Sequence, residues 1–155
     1  MSVRAAVAGD AAALSVLHGA SFREGWTRDD FTTWLGRAEA ICVVTEEAGE
    51  VVAFGLALAS GSDAELLTIA SAPALRGTGL GRRIMHGLQA EAARRGLERW
   101  ILEVARNNLP ALGLYKSEGF VEIGVRKAYY PGETGRIDAL VMSRPVSPAG
   151  GQGRA

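Results

Sequence analysis

The sequence predicts one α/β domain in which helices flank a mixed sheet. Three observations predict it. The chain has 155 residues, 48% of them hydrophobic and 22% charged, the size and balance of a single globular domain. β-type runs alternate with helical periodicities, and two helices interrupt the strands in the second half. A glycine-rich turn, Leu75 to Arg82, joins a strand to the most regular helix.

The elements follow in order. Residues 2–8 are β-like. Asp10 is placed to cap a helix through AAALSVLHGA that ends near Gly19. Thr27 caps the next helix, Asp29 and Asp30 suit the positive end of its dipole, and Trp26 is placed to staple onto its first turn. Phe31, Trp34 and Leu35 form its apolar face, and it stops near Gly36. Residues 40–45 and 51–59 form a hairpin around a turn at 46–50 that contains Gly49. A third run, 65–72, ends before Pro73 in the chain's next turn. Leu80, Ile84, Leu88 and Ala92 repeat every four residues in a helix over 80–95, capped by Gly96. Residues 100–105 read as a buried strand. Residues 109–118 read as a short helix with Pro110 in its first turn and Gly119 at its end. The last strands are 120–126 and 136–144, separated by a turn at Pro131-Gly132. Seven strands and four helices thus fill a domain over 1–146. The Pro/Gly-rich residues 147–155 are expected to be a disordered tail.

Charge narrows the function. Lys+Arg and Asp+Glu are 17 each, which argues against a dedicated nucleic-acid binder. Residues 1–75 carry four arginines against ten acids, a local charge of −6, and residues 76–155 carry +6. Two partners of opposite sign fit this split, as does a chance distribution of surface charge. Cys42, the single cysteine, lies in an apolar run and reads as a buried thiol. His18 and His86 lack ligand spacing; both are read as surface residues, and no metal is expected. Trp26, Trp34 and Trp100 are read as core. No apolar run is long enough for a signal peptide or a membrane helix, so a cytoplasmic protein without a membrane partner is expected.

The turn Arg76-Gly77-Thr78-Gly79-Leu80-Gly81-Arg82 carries the first chemistry. Glycines let backbone N–H groups face a ligand, and a helix N-terminus adds unpaired donors and positive potential. Together they suit a phosphate, and Arg76 and Arg82 flank the cradle. A merely flexible turn is the alternative. The Lys-Ser/Thr of a Walker loop is absent, and the third glycine comes one position early for a dinucleotide fingerprint. Glu103 is a second signal, a carboxylate inside the apolar Trp100-Ile101-Leu102-Glu103-Val104. Alternation sets it on the face of Ile101 and Ala105, at a solvated edge or in a site. Tyr115 shares a helix face with Leu112, which is also simple core spacing. Asn108 begins that helix and could cap it.

R-G-T-G-L-G-R before an amphipathic helix resembles the R/Q-x-x-G-x-G/A signature of the GCN5-related N-acetyltransferase (GNAT) superfamily. Leu66-Leu67-Thr68-Ile69-Ala70, Leu102-Glu103-Val104, N-x-x-A-x-x-L-Y-x-x-x-G-F from Asn108 to Phe120, Tyr129-Tyr130-Pro131 and Asp138-Ala139-Leu140-Val141-Met142 extend the match over about residues 3–144. Within the superfamily the set is most similar to RimI-type enzymes, which acetylate the N-terminal alanine of a small-subunit ribosomal protein. The resemblance implies the GNAT fold, acetyl-coenzyme A as cosubstrate and a protein N-terminus as acceptor. It implies that Glu103 accepts a proton and that Tyr115 protonates the departing thiolate. It implies that Ile69, Ala70, Ser71, Arg76, Gly77, Thr78, Gly79, Leu80, Gly81, Arg82 and Asn108 hold the cofactor. Members often read E-V-R-x-S-N, whereas this chain reads Glu103-Val104-Ala105-Arg106-Asn107-Asn108, a departure on the substrate side. A lysine side chain or a small amine remains open as acceptor, as does a non-catalytic module that binds coenzyme A. The working form is expected to be a monomer or a weak dimer.

Overall fold

The structure is a computed structural model, and it describes residues 2–22, 24–132 and 135–147. The predicted tail lies outside the described residues from 148 onward. Among the described residues there are seven strands and four α-helices: β1 Val3–Ala5, α1 Ala11–Ser21, α2 Arg28–Leu35, β2 Ala40–Glu47, β3 Glu50–Ser60, β4 Asp63–Ser71, α3 Leu80–Arg94, β5 Arg99–Ala105, α4 Leu109–Ser117, β6 Val121–Gly132 and β7 Gly135–Pro145. They form one sheet in the order β1-β2-β3-β4-β5-β7-β6. Only β4 and β5 run parallel among its pairings. Helix α3 bridges them, as a parallel crossover requires.

Local chemistry explains most boundaries. The Thr27 side chain accepts from the Asp30 N–H at 3.0 Å, and the Asp30 carboxylate accepts from the Thr27 N–H at 2.9 Å. The Trp26 ring packs on Phe31 at 5.5 Å, which completes the staple. The β2–β3 hairpin is tighter than expected. Ala48 and Gly49 both take positive φ, a two-residue turn that matches strand twist and lets Glu47 pair with Glu50. Helix α1 runs past Gly19 to Ser21. Asp10 does not cap it; its carboxylate instead accepts from the Val7 N–H at 2.8 Å and pairs with Arg4 at 2.9 Å.

Two apolar cores lie on opposite faces of the sheet. Leu80, Ile84, Met85 and Leu88 of α3 and Leu112 and Tyr115 of α4 pack over Ile41, Leu66, Trp100, Leu102 and Met142. On the other face Leu14 and Leu17 of α1 and Phe31 of α2 cover Val44, Phe54, Leu56 and Ala70. Trp100 is fully buried, whereas Trp26 and Trp34 are half-buried against the second core. Helix α3 sits close because residue 55 is glycine: a Cβ there would meet Ile84 Cγ2 at 2.6 Å and Leu88 Cδ1 at 2.8 Å. Gly55 pairs with Ile69 of β4, so this close approach seats α3 against β3, next to β4.

His18 corrects its surface assignment, since only 4% of it is exposed. Its ring stacks between Phe22 and Trp26 at 4.4 and 4.6 Å, and Nδ1 accepts the Trp26 N–H at 3.0 Å. The segment after α1 folds back over the ring, a tertiary contact that local periodicity does not record.

Candidate active site

The sheet opens in its middle. β4 and β5 pair only from Asp63↔Arg99 to Leu66↔Leu102. Beyond that point β4 stays with β3 as far as Ser71, and β5 stays with β7 as far as Ala105. The cause is visible in the β3 register. Leu56 pairs with Thr68 but Ala57 pairs with Leu66, so Leu67 is one extra residue on β4. Such a bulge bends its strand. Two strand edges therefore face each other across a gap, residues 67–71 on one side and 103–105 on the other. Alternate backbone groups on each edge point into that gap. Ile69, Ala70 and Ser71 lie on the first edge and Glu103 on the second.

The glycine turn closes one end. After Ser71 a 3₁₀ turn over Pro73–Leu75 leads to Gly77 (φ +80°) and Gly79 (φ +89°), where a side chain would be strained. Thr78 Oγ1 donates to the Leu75 carbonyl at 2.6 Å and fixes the loop. The first backbone bond of α3 runs from the Arg83 N–H to Gly79, so the amides of Leu80, Gly81 and Arg82 precede the helical ladder. A Cβ added at Gly77 or Gly79 would meet nothing within 4 Å, so this surface is open. The flanking arginines are braced to protein. Arg76 donates to Ala20 O at 3.2 Å and to Ser21 Oγ at 3.1 Å, which ties the turn to α1. Arg82 reaches Glu118 at 3.2 Å and Ser117 Oγ at 3.1 Å, which ties α3 to α4. Their backbone groups remain part of the turn.

Glu103 and Tyr115 come from different layers. β5 alternates as its pattern predicts: Trp100, Leu102 and Val104 are buried, whereas Ile101, Glu103 and Ala105 are half-buried on the face opposite α3 and α4. Tyr115 rises from α4 beneath the other face and packs on Phe120 at 5.7 Å. The gap between β4 and β5 is where the two faces communicate. Burial foremost, and the nearby Tyr130, push the Tyr115 phenol up to about 12. Burial foremost, then the Glu103 charge, raises Tyr130 as well. Tyr130 thus stands within electrostatic reach of both predicted groups. Asn108 Oδ1 accepts from the Ala111 N–H at 3.3 Å and caps α4, which leaves its NH₂ end for a ligand.

Two residues of this group escaped the sequence reading of the chemistry. Arg126 on β6 makes an ion pair with Glu103. Tyr130 entered only as part of the Tyr129-Tyr130-Pro131 match, with no role attached. Arginine on an exposed strand is ordinary surface composition, so sequence held no signal for Arg126. The Cys42 thiol, pushed up to about 12 foremost by burial, is inert as a nucleophile and lies two strands from β4. Among the described residues no group of His, Cys, Asp and Glu could hold a metal ion.

Comparison with known proteins assigns this architecture. Residues 11–120 match the model of the acetyltransferase (GNAT) family. The chain belongs to that family. It is 34% identical over 122 residues to the [ribosomal protein bS18]-alanine N-acetyltransferase of Escherichia coli strain K12, covering 79% of this chain and 82% of the relative. The crystal structure of the ribosomal-protein-S18-alanine N-acetyltransferase from Escherichia coli superposes with a TM-score of 0.87 at 29% identity, covering 99% of this chain and 96% of that one. The ribosomal-protein-alanine N-acetyltransferase from Brucella melitensis has the same fold, with a TM-score of 0.84 at 23% identity over 94% of this chain and 99% of that one. GNAT acetyltransferases use acetyl-coenzyme A. The residues present fit that molecule: two unpaired strand edges suit an extended amide-bearing arm, and an open glycine turn at a helix N-terminus suits a pyrophosphate.

Proposed function

We propose that this chain transfers acetyl from acetyl-coenzyme A to the N-terminal α-amine of a protein, with the N-terminal alanine of a bS18-type ribosomal protein as first acceptor. The carrying observation is the seat of Glu103, a half-buried carboxylate on the free edge of β5 beside the gap. The Escherichia coli relative, named for that acceptor, supports the choice of amine. The reaction belongs in the cytoplasm, and a single copy of the chain holds every group it needs.

Acetyl-coenzyme A supplies, when bound, an acetyl thioester activated toward amines. The chain's own groups do the rest. The backbone of Ile69, Ala70 and Ser71 hydrogen-bonds the extended arm as a neighbouring strand would, and one N–H polarises the thioester carbonyl. Amides of 77–82 hold the pyrophosphate, and Asn108 contacts the arm from the head of α4. An α-amine has a pKa near 7.7–8.0, so at neutral pH most of it arrives as ammonium and cannot attack. Glu103 takes one proton and frees the lone pair. The nitrogen–carbon bond forms and the carbon–sulfur bond breaks. Tyr115 donates its proton to the sulfur and recovers one from the new amide nitrogen. One proton leaves through Glu103 to solvent. Because Tyr115 is raised to about 12, it remains a donor across the working range.

Glu103→Gln and Tyr115→Phe should each lower kcat by about 10²–10⁴-fold while leaving acetyl-coenzyme A affinity unchanged. Wild-type turnover in both variants would remove this mechanism. The acceptor is tested with peptides that begin with free alanine, the same peptides blocked at the N-terminus, and blocked peptides that carry lysine. Equal rates on the blocked peptides would move the acceptor to a side-chain amine.

A further inference from the structure

The ion pair between Arg126 and Glu103 occupies the position that the acceptor amine must reach. Arg126 is 57% exposed on the outer strand β6, and Glu103 is 23% exposed. The other groups near Glu103 carry no positive charge. Its β7 partner is Val141, and Tyr130 on β6 is a phenol. Arg106, just beyond β5, is engaged with Asp138 at 3.5 Å, as is Lys127 at 3.8 Å. Arg126 therefore supplies the one cation at Glu103 among the described residues.

The same guanidinium also touches an aromatic ring. Its Cζ lies 5.1 Å from the centre of the Tyr129 ring, within cation–π range. The backbone holds both contacts in place. Between Arg126↔Ala139 and Tyr130↔Ile137 three residues of β6 oppose one of β7. This bulge is locked by a 2.8 Å bond from the Ala128 N–H to Asp138, and by Arg136, which donates to Ala128 O at 2.7 Å and to Tyr129 O at 2.6 Å.

We propose that Arg126 is a positioning residue that holds the place of the acceptor's ammonium on Glu103 and yields it when the acceptor binds. The proposal rests on Glu103 being the base. The free enzyme keeps a half-buried carboxylate neutralised by an exposed cation. The arriving ammonium carries the same charge. Two cations on one carboxylate repel each other, so the guanidinium gives up Glu103 and keeps its contact with Tyr129. Once Arg126 has left, the carboxylate oxygens face the ammonium alone, and the carboxylate takes the proton. When the acetylated, uncharged product departs and Glu103 loses that proton to solvent, Arg126 returns. A neutral amide cannot compete with it, so the exchange also discriminates against product.

The test compares kcat and KM of Arg126→Gln, Arg126→Ala and Arg126→Lys with wild type on one alanine-initiated peptide, together with inhibition by the acetylated product. In the Gln and Ala variants peptide KM should fall, by no more than about fivefold, the ceiling for a pair this exposed, because no cation has to be displaced. Their kcat should stay in place, because Arg126 has already left in the complex, and the acetylated peptide should inhibit them more strongly than it inhibits wild type. Arg126→Lys should keep the wild-type values. If kcat moves and peptide KM does not, Arg126 stays on Glu103 during the reaction and the exchange is overturned. If neither moves, the pair has no part in it. Both results leave Glu103 as base, provided that Glu103→Gln is inactive. Wild-type turnover in Glu103→Gln would instead remove the base and this inference with it.

Discussion

Ala128 holds φ +51°, a left-handed conformation that costs a non-glycine residue about 1–2 kcal/mol. The bonds from Asp138 and Arg136 sustain it, and the result aims Arg126 and Tyr130 toward Glu103. Ala128→Val should lower stability by about 1–2 kcal/mol, because a β-branched residue tolerates this region worst. Ala128→Gly should cost nothing. Urea midpoints at constant slope check both, and a Val variant as stable as wild type would show that the bulge carries no strain. Residues differ in how far the sequence discloses them. Glu103 was legible because a charge inside an apolar run needs a reason. Ile69, Ala70 and Ser71 were legible only through the family match, since their contribution is backbone. Arg126 was hidden, because its meaning is a partner on another strand. His18 was misread for the same reason: its walls, Phe22, Trp26 and Phe31, come from the chain that follows it.

The elements on the α1/α2 face make a pH prediction. Burial holds His18 below its ordinary 6.5, so the folded protein keeps it neutral where the unfolded chain takes up a proton. Stability from this group is complete above about pH 6.5 and is lost as pH falls through the lowered folded value. Asp10 is held below 3.8, foremost by its bond from Arg4, and adds a second loss in more acid solution. Chemical unfolding from pH 7 to 5 should show the first decline, and His18→Gln should flatten it. The glycine turn gives a companion prediction. Gly79→Val should weaken coenzyme A binding in calorimetry, because φ +89° is closed to a β-branched residue, whereas Glu103→Gln should not. The capping box of α2 and the period of α3 were plain in sequence, since local chemistry sets them. The opening of the sheet was not. It depends on Leu67 being an extra residue, and only the register against β3 reveals a bulge.

At the scale of the whole molecule, the ligand is expected to join two half-sheets that share only four residue pairs, Asp63↔Arg99 to Leu66↔Leu102. At one hundred times its Kd, acetyl-coenzyme A should stabilise the fold by about 2.7 kcal/mol, or about 5–10 °C in Tm. Glu103→Gln should show the same rise. The acidic first half of the chain, at −6, suits a basic acceptor, so added salt should lower kcat/KM for a basic peptide. A rate indifferent to salt would leave the charge asymmetry without a role in association. The most direct measurement for the central claim is a crystal structure with coenzyme A and an alanine-initiated peptide. The account predicts the pyrophosphate on the amides of 77–82, the arm along Ile69–Ser71, and the peptide nitrogen within hydrogen-bonding reach of Glu103. Coenzyme A bound away from the gap, or an amine held far from Glu103, would contradict it.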